Sequence, residues 1–187
     1  MRLSRVTAAS VALTLVAGGI AVAAVTKSSR LDTRAIALRE KLFGPANVDH
    51  RTGAVRRGVV ILSWTSVMTY AAAIDGHVVL LDAWVARGEH SGYVPTSAAE
   101  LAAIKPEFVI IGHSHFDHAA DAAQIALESG APIVGTPEHC DQIRSQALSE
   151  WGSDKVRCVA AAPRGAPFAV TTKVKLWKGI GLTTVKV

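Results

Sequence analysis

Four side chains able to ligate a metal, His113, His115, Asp117 and His118, fall within six consecutive positions, and three of the chain's seven histidines are among them. In an extended segment residues i and i+2 point to the same side, so His113 and His115 can grip one ion. Asp117 and His118 follow as the chain turns into a helix, where they can reach a second ion close by. Imidazole suits zinc, and a carboxylate widens the choice to manganese or iron. Divalent ions held in this way lower the pKa of water and provide a nucleophile at neutral pH. The plainer alternative is a polar loop that happens to be rich in histidine. The regular spacing directly after an apolar run argues against it.

The elements around the cluster must position it. Residues 108–111 form an apolar run that predicts a short buried strand. Residues 119–128 are rich in alanine and predict a helix, closed by Gly130. The cluster therefore lies on a strand-to-helix loop, a common place for chemistry. Upstream, residues 59–62 and 67–74 predict strands, Asp75-Gly76 a tight hairpin, and residues 77–81 the returning strand, which Asp82 ends. His77, directly after the turn, reads as a surface residue. Trp64, Tyr70 and Trp84 are candidates for a substrate cleft, with core or rim packing the commoner fate of aromatics. Ser97 and Glu100 make a capping box for a helix running to about residue 104. After the cluster, residues 132–134 predict a strand, and Thr136-Pro137 the cap and first position of another helix. Strands are also predicted over residues 156–160, 172–177 and 182–187, with a turn at residues 179–181. Strand and helix alternate, which supports an α/β layered fold.

The run His113-Ser114-His115-Phe116-Asp117-His118 resembles the H-x-H-x-D-H signature of the metallo-β-lactamase superfamily, with a strand before it and a helix after it. The resemblance implies an α/β fold of the αββα sandwich type, with a one- or two-metal site at the sheet edges and hydrolytic activity. On that pattern His113 and His115 match ligands of a first metal and Asp117 and His118 match ligands of a second. Asp117 also orients the attacking water. Asp82 matches the Asp that ends the opening strands of the family and orients metal-bound groups; taken alone it reads as a turn residue. His139 supports the ligands from outside or touches substrate if the strand before it runs parallel to the motif strand, and is otherwise an exposed residue at a helix start. The cofactor implied is zinc, one ion or two, with manganese and iron open. The partner implied is a small-molecule substrate: an ester, lactone, lactam, thioester or phosphodiester.

The sequence also departs from the family pattern. Members supply a further His from a later strand, a bridging Asp and a last His, but here no His follows His139 and no Asp follows Asp154. The resemblance spans roughly residues 58–187, about the first half of a full domain. The expectation is a truncated domain, with apolar strands at residues 59–62 and 78–81 lacking part of their cover. Such a domain would bind metal weakly, hydrolyse poorly and tend to self-associate. Two other classes stay open. Gly112-His113-Ser114-His115 also fits the Gly-His-x-His of calcineurin-like phosphoesterases, although their upstream Asp-x-His and their Gly-Asn-His-Asp/Glu segment have no counterpart. A non-catalytic metal-binding protein of the cell envelope is the other.

Half of the 187 residues are apolar, which predicts a globular core rather than disorder. Residues 1–25 stand apart as a signal peptide or signal anchor. Arg2 and Arg5 form a basic start, residues 6–25 carry no charge, and Ala21-Val22-Ala23 fits a cleavage site. A retained anchor is the second reading, since about 20 apolar residues can span a bilayer. Both readings predict export, to the outside or to the cell envelope, with membrane contact only through the uncleaved segment. Residues 26–57 read as a spacer or covering element with one helix near residues 31–42, capped by Asp32 or Thr33 and stopped at Gly44-Pro45. Cys140 and Cys158 are the only cysteines; an exported chain can pair them, but their spacing does not establish it. Residues 153–187 carry seven Lys/Arg and one acid. The run lacks the interleaved aromatics of a nucleic-acid groove and reads as strands with a solvated face, so nucleic acid is not expected as a partner.

Overall fold

The computed structural model describes residues 31–90, 92 and 94–186. The segment expected as a signal, residues 1–25, lies outside the described residues. The first helix, α1 (Thr33–Phe43), is capped by the Asp32 side chain, which accepts from the Ala35 amide at 2.7 Å, and it stops at Gly44, whose φ is 82°. This stretch is built into the domain and is not a spacer. Leu38, Phe43, Val48 and Val55 belong to the main hydrophobic core. Arg39 ties the helix down by donating to the carbonyls of Gly53, Ile104 and Lys105.

Six strands form one sheet in the order β1 to β6. Strands β1 (Val60–Ser66), β2 (Thr69–Ile74) and β3 (His77–Leu81) make an antiparallel meander. Its second turn is the two-residue Asp75-Gly76 loop, with φ of 50° and 87°, the left-handed pair that matches strand twist in a hairpin. Val67 also has a positive φ, 28°, so it belongs to the first turn, and the second strand starts at Thr69 rather than at residue 67. Strands β4 (Phe108–Ile110), β5 (Ile133–Gly135) and β6 (Cys158–Ala160) run parallel to β3 and follow it outward.

The connections are helical. Helix α2 (Ala98–Ala103) starts at Ser97, whose Oγ accepts from the Glu100 amide. The single helix expected over residues 119–128 is two: α3 (Phe116–Ala119) and α4 (Ala122–Ser129). The break falls at Asp121, whose carboxylate is buried and accepts from the Val85 amide at 2.7 Å. Helix α5 (Pro137–Trp151) follows Thr136, whose Oγ1 accepts from the His139 amide. Leu101, Ile104, Ile125 and Ile143 pack with Ala71, Val78, Leu80, Val109 and Ile133 into the core on the helical face of the sheet.

The other face carries a second small sheet, the hairpin β7 (Thr171–Lys175) and β8 (Gly181–Val185). Trp177, in its turn, stacks on His77 with ring centroids 4.4 Å apart and meets Phe108 edge-on. His77 also pairs with Glu107 at 3.0 Å, so it is engaged rather than a free surface residue. The layers are helices, sheet, then hairpin, in agreement with the expected α/β class. Cover on the second face is uneven. Val79, on this face, is buried like Val78 and Leu80 on the other, against expectation, but Val60 and Leu62 on edge strand β1 are 66% and 58% exposed. Trp64 lies on the same open face, away from any cleft. Among the described residues no helix is long and apolar enough to cross a membrane.

Candidate metal centre

Strands β3, β4, β5 and β6 are parallel, so their C-terminal ends fall on one edge of the sheet, where open α/β sheets bind ligands. Asp82 follows β3, residues 112–118 follow β4, and Thr136 to His139 follow β5. The edge therefore collects Asp82, His113, His115, Asp117, His118 and His139, whereas Trp64 stays on the open face of β1.

Asp82 is the brace. Its backbone is left-handed, with φ of 55°, a conformation that Asp tolerates better than most residues but that still carries strain. Its amide donates to the Ile110 carbonyl at 2.8 Å, which locks the end of β3 to the end of β4. Its Oδ1 accepts from the Gly112 amide and its Oδ2 meets His118 Nδ1, both at 2.8 Å. The Ala83 amide donates to the His118 carbonyl at 2.6 Å, a second tie between the same two segments. One carboxylate thus sets the start of the loop and orients an imidazole at its end.

A carboxylate at Nδ1 favours the tautomer of His118 that presents Nε2, which is how an outer carboxylate prepares a metal-ligating histidine. Its Nε2 lies 3.6 Å from Asp117 Oδ2. The His113 ring lies 4.2 Å from that of His115 and 5.1 Å from that of His118, centroid to centroid and edge to face. His115 serves as N-cap of α3, and Asp117 and His118 lie within its single turn. His113 and His115 are exposed, and Asp117 and His118 are partly buried.

Among the described residues no three His, Cys, Asp or Glu side chains stand as a group that could hold one metal ion. The donor set nevertheless fits a divalent ion. Three imidazoles and a carboxylate are the donors that zinc and its neighbours take. They lie within a few ångströms of each other, and one imidazole already has its outer carboxylate. His113 and His115 are exposed, so their side chains can exchange between staggered rotamers. Exchanging Asp82 for Asn leaves one acceptor oxygen for two donors, the Gly112 amide and His118 Nδ1–H, so one of the two bonds is lost. We expect D82N to weaken zinc binding about 10- to 100-fold, the usual cost of losing an outer partner. Competition with a zinc-binding dye measures it, and an unchanged Kd in a folded D82N protein would refute the bracing role.

His139 sits on the same edge but outside this network. Its ring packs over Gly135, where an added Cβ would come within 3.2 Å of the His139 Cβ. Its Nδ1 is buried and meets no hydrogen-bond partner among the described residues. Burial, and then the neighbouring His113, hold its pKa below the usual imidazole value, against the opposite pull of the Ile111 backbone. A cavity of about 520 Å³ opens between His139 and His113. Cys140, next in the helix, is disulfide-bonded to Cys158 of β6, with Cα atoms 6.1 Å apart, which the sequence left open. Trp84 reaches the site through an edge contact with Phe116. The sequence reading overlooked Asp121 and Arg87, an ion pair at 3.0 Å under the loop after Asp82. No local signal marks them, since their partners lie more than 30 residues apart.

A profile of the metallo-beta-lactamase superfamily matches residues 63–184. The chain is similar to a protein named UPF0173 metal-dependent hydrolase from Pyrobaculum neutrophilum, at 33% identity over 89 residues, 48% of this chain and 38% of the relative. A protein of the same name from Pyrobaculum calidifontis is 38% identical over 86 residues, 46% of this chain and 35% of the relative. The chain thus spans little more than a third of the length of these curated relatives. Among solved structures, a metallo hydrolase of Ignicoccus hospitalis is 17% identical, with 61% of this chain and 42% of that one covered and a TM-score of 0.43.

Proposed function

Since the chain belongs to the metallo-beta-lactamase superfamily, we propose that the cluster at the edge of its sheet is the centre of a metal-dependent hydrolase. The observation that carries this reading is the Asp82–His118 hydrogen bond beside His113 and His115. Membership also sets aside the calcineurin-like alternative. Zinc is the ion best matched by three imidazoles and a carboxylate, held by His113, His115, Asp117 and His118. When bound it supplies Lewis acidity and a nucleophile at neutral pH.

The chain's own residues do the rest. Asp82 keeps His118 in the tautomer with a free Nε2. Asp117, 38% exposed beside that nitrogen, orients the attacking water and accepts its proton on a carboxylate oxygen. The substrate is a small molecule with an electrophilic carbonyl or phosphoryl centre: an ester, lactone, lactam, thioester or phosphodiester. The uncharged run at residues 6–25 supports export, and so does the disulfide, since such bonds persist in oxidising compartments.

A second reading, a metal-binding protein without turnover, draws on the donors' not being gathered into one group. A panel separates the two: p-nitrophenyl acetate, a lactone, a chromogenic β-lactam, a thioester and bis-p-nitrophenyl phosphate, with zinc-loaded and chelated protein. Slow hydrolysis of at least one compound is expected, lost on chelation and restored by zinc or manganese. Stoichiometric metal without turnover of any of them would favour the second reading.

A further inference from the structure

The cavity beside His113 has a composition of its own. Ile110 and Val134 are register partners on neighbouring strands and form its floor, with Ala161 at its side and Leu182 of β8 above. Apart from His139 Nδ1, which is buried without a partner among the described residues, two polar groups around these walls are already engaged. Thr184 Oγ1 donates to the Ala161 carbonyl, and Thr136 Oγ1 accepts from the His139 amide. Two charges stand at the mouth and are opposite in sign. Glu138 accepts from the Gly165 amide at 3.1 Å, and Lys186 donates to the Ala166 carbonyl. Backbone donors, its own amide first and that of Gly165 next, hold the Glu138 carboxyl at about 2, so it is ionised under all ordinary conditions. An anion at the first turn of α5 repels other anions from that helix end. The walls thus favour an apolar group, and the rim asks for no charge on it.

We propose that this cavity receives an uncharged apolar arm, a medium-length acyl or alkyl chain, attached to the group that reacts at the histidine cluster. The assignment rests on the hydrolase reading of that cluster. His113 and Gly112, both exposed, line the same cavity as Ile110 and Val134, so an arm lying against those two side chains can leave its polar end beside His113. At about 520 Å³ the space is within the roughly 300–1,000 Å³ of small-molecule sites. The substrate class that follows is a neutral ester, thioester, amide or lactone with a medium-length aliphatic chain.

The test uses the full chain without metal, so its outcome does not depend on turnover. Octanamide and acetamide are titrated while the imidazole proton signals of His113 and His139 are followed by NMR. Octanamide should shift both signals and bind at least tenfold more tightly than acetamide. Ala161→Phe, which fills the cavity, should weaken octanamide at least tenfold. Leu182→Asp on the surface hairpin should do the same and serves if A161F fails to fold. Equal affinity for the two amides would overturn the proposal, as would folded variants that bind octanamide as well as the natural chain does. Octanamide binding without hydrolysis of any panel compound would remove the hydrolase reading and leave the cavity as a binding site. Hydrolysis with no preference between the two amides would remove the cavity assignment alone.

Discussion

Replacing His113 and His115 together by alanine should abolish zinc binding. The two rings are 4.2 Å apart on one short loop, and His113 is the ring that links His115 to His118. Without them Asp117 and His118 remain, and two protein donors cannot close a tetrahedral site. Structural zinc sites with full ligand sets are worth about 10–16 kcal/mol. Loss of half the donors is therefore expected to exceed the roughly 10- to 100-fold cost of an outer-partner change. The fold should survive, because both side chains are exposed. Metal content after dialysis, read by elemental mass spectrometry, is the measurement. His77→Ala is the control, since His77 stacks on Trp177 at the start of β3, the end opposite Asp82. Unchanged zinc content in the double variant would show that the cluster is not the site.

Reduction of the Cys140–Cys158 disulfide should lower stability by roughly 3 kcal/mol. The bond closes a loop of sequence separation 18, and a loop of that size removes about this much chain entropy from the unfolded state. Against the roughly 5–15 kcal/mol that typical domains hold in reserve, the loss is large. It also has a local consequence. The bond ties the first turn of α5, which carries His139, to β6, whose continuation at Ala161 walls the cavity. Guanidinium unfolding with and without a phosphine reductant, and of a Cys140→Ala/Cys158→Ala variant, measures the effect. Coincident curves would reject it. Thiol counting on the natively produced chain is a further check: no free thiol is expected, and two would remove both the bond and its support for export.

Much of the site's chemistry was legible in the sequence because it is local. The spacing of His113, His115, Asp117 and His118 marks ligand-type residues on a loop after an apolar strand. The Asp75-Gly76 turn and the Thr136-Pro137 helix start are read from backbone preferences that act over two to four residues. These places agree with the structure closely: β3 begins at His77, and α5 begins at Pro137 with Thr136 as its cap.

What tertiary structure decided concerns pairs far apart in the chain. Leu38 and Phe43 belong to the core although their stretch reads as a spacer or covering element, since a helix's own sequence does not name the surface that it covers. The helix after the cluster breaks at Asp121 because that carboxylate serves the Val85 amide 36 residues earlier, a buried donor that has to be satisfied somewhere. Cys140 meets Cys158, and His77 meets Trp177, only through the order of the strands. Asp82 and His139 reach one edge because β3, β4 and β5 are parallel neighbours. Local preference is set by the backbone and its nearest side chains. Assembly of the site was set by burial and hydrogen-bond satisfaction across the sheet, which act through space and leave no periodic trace in the sequence.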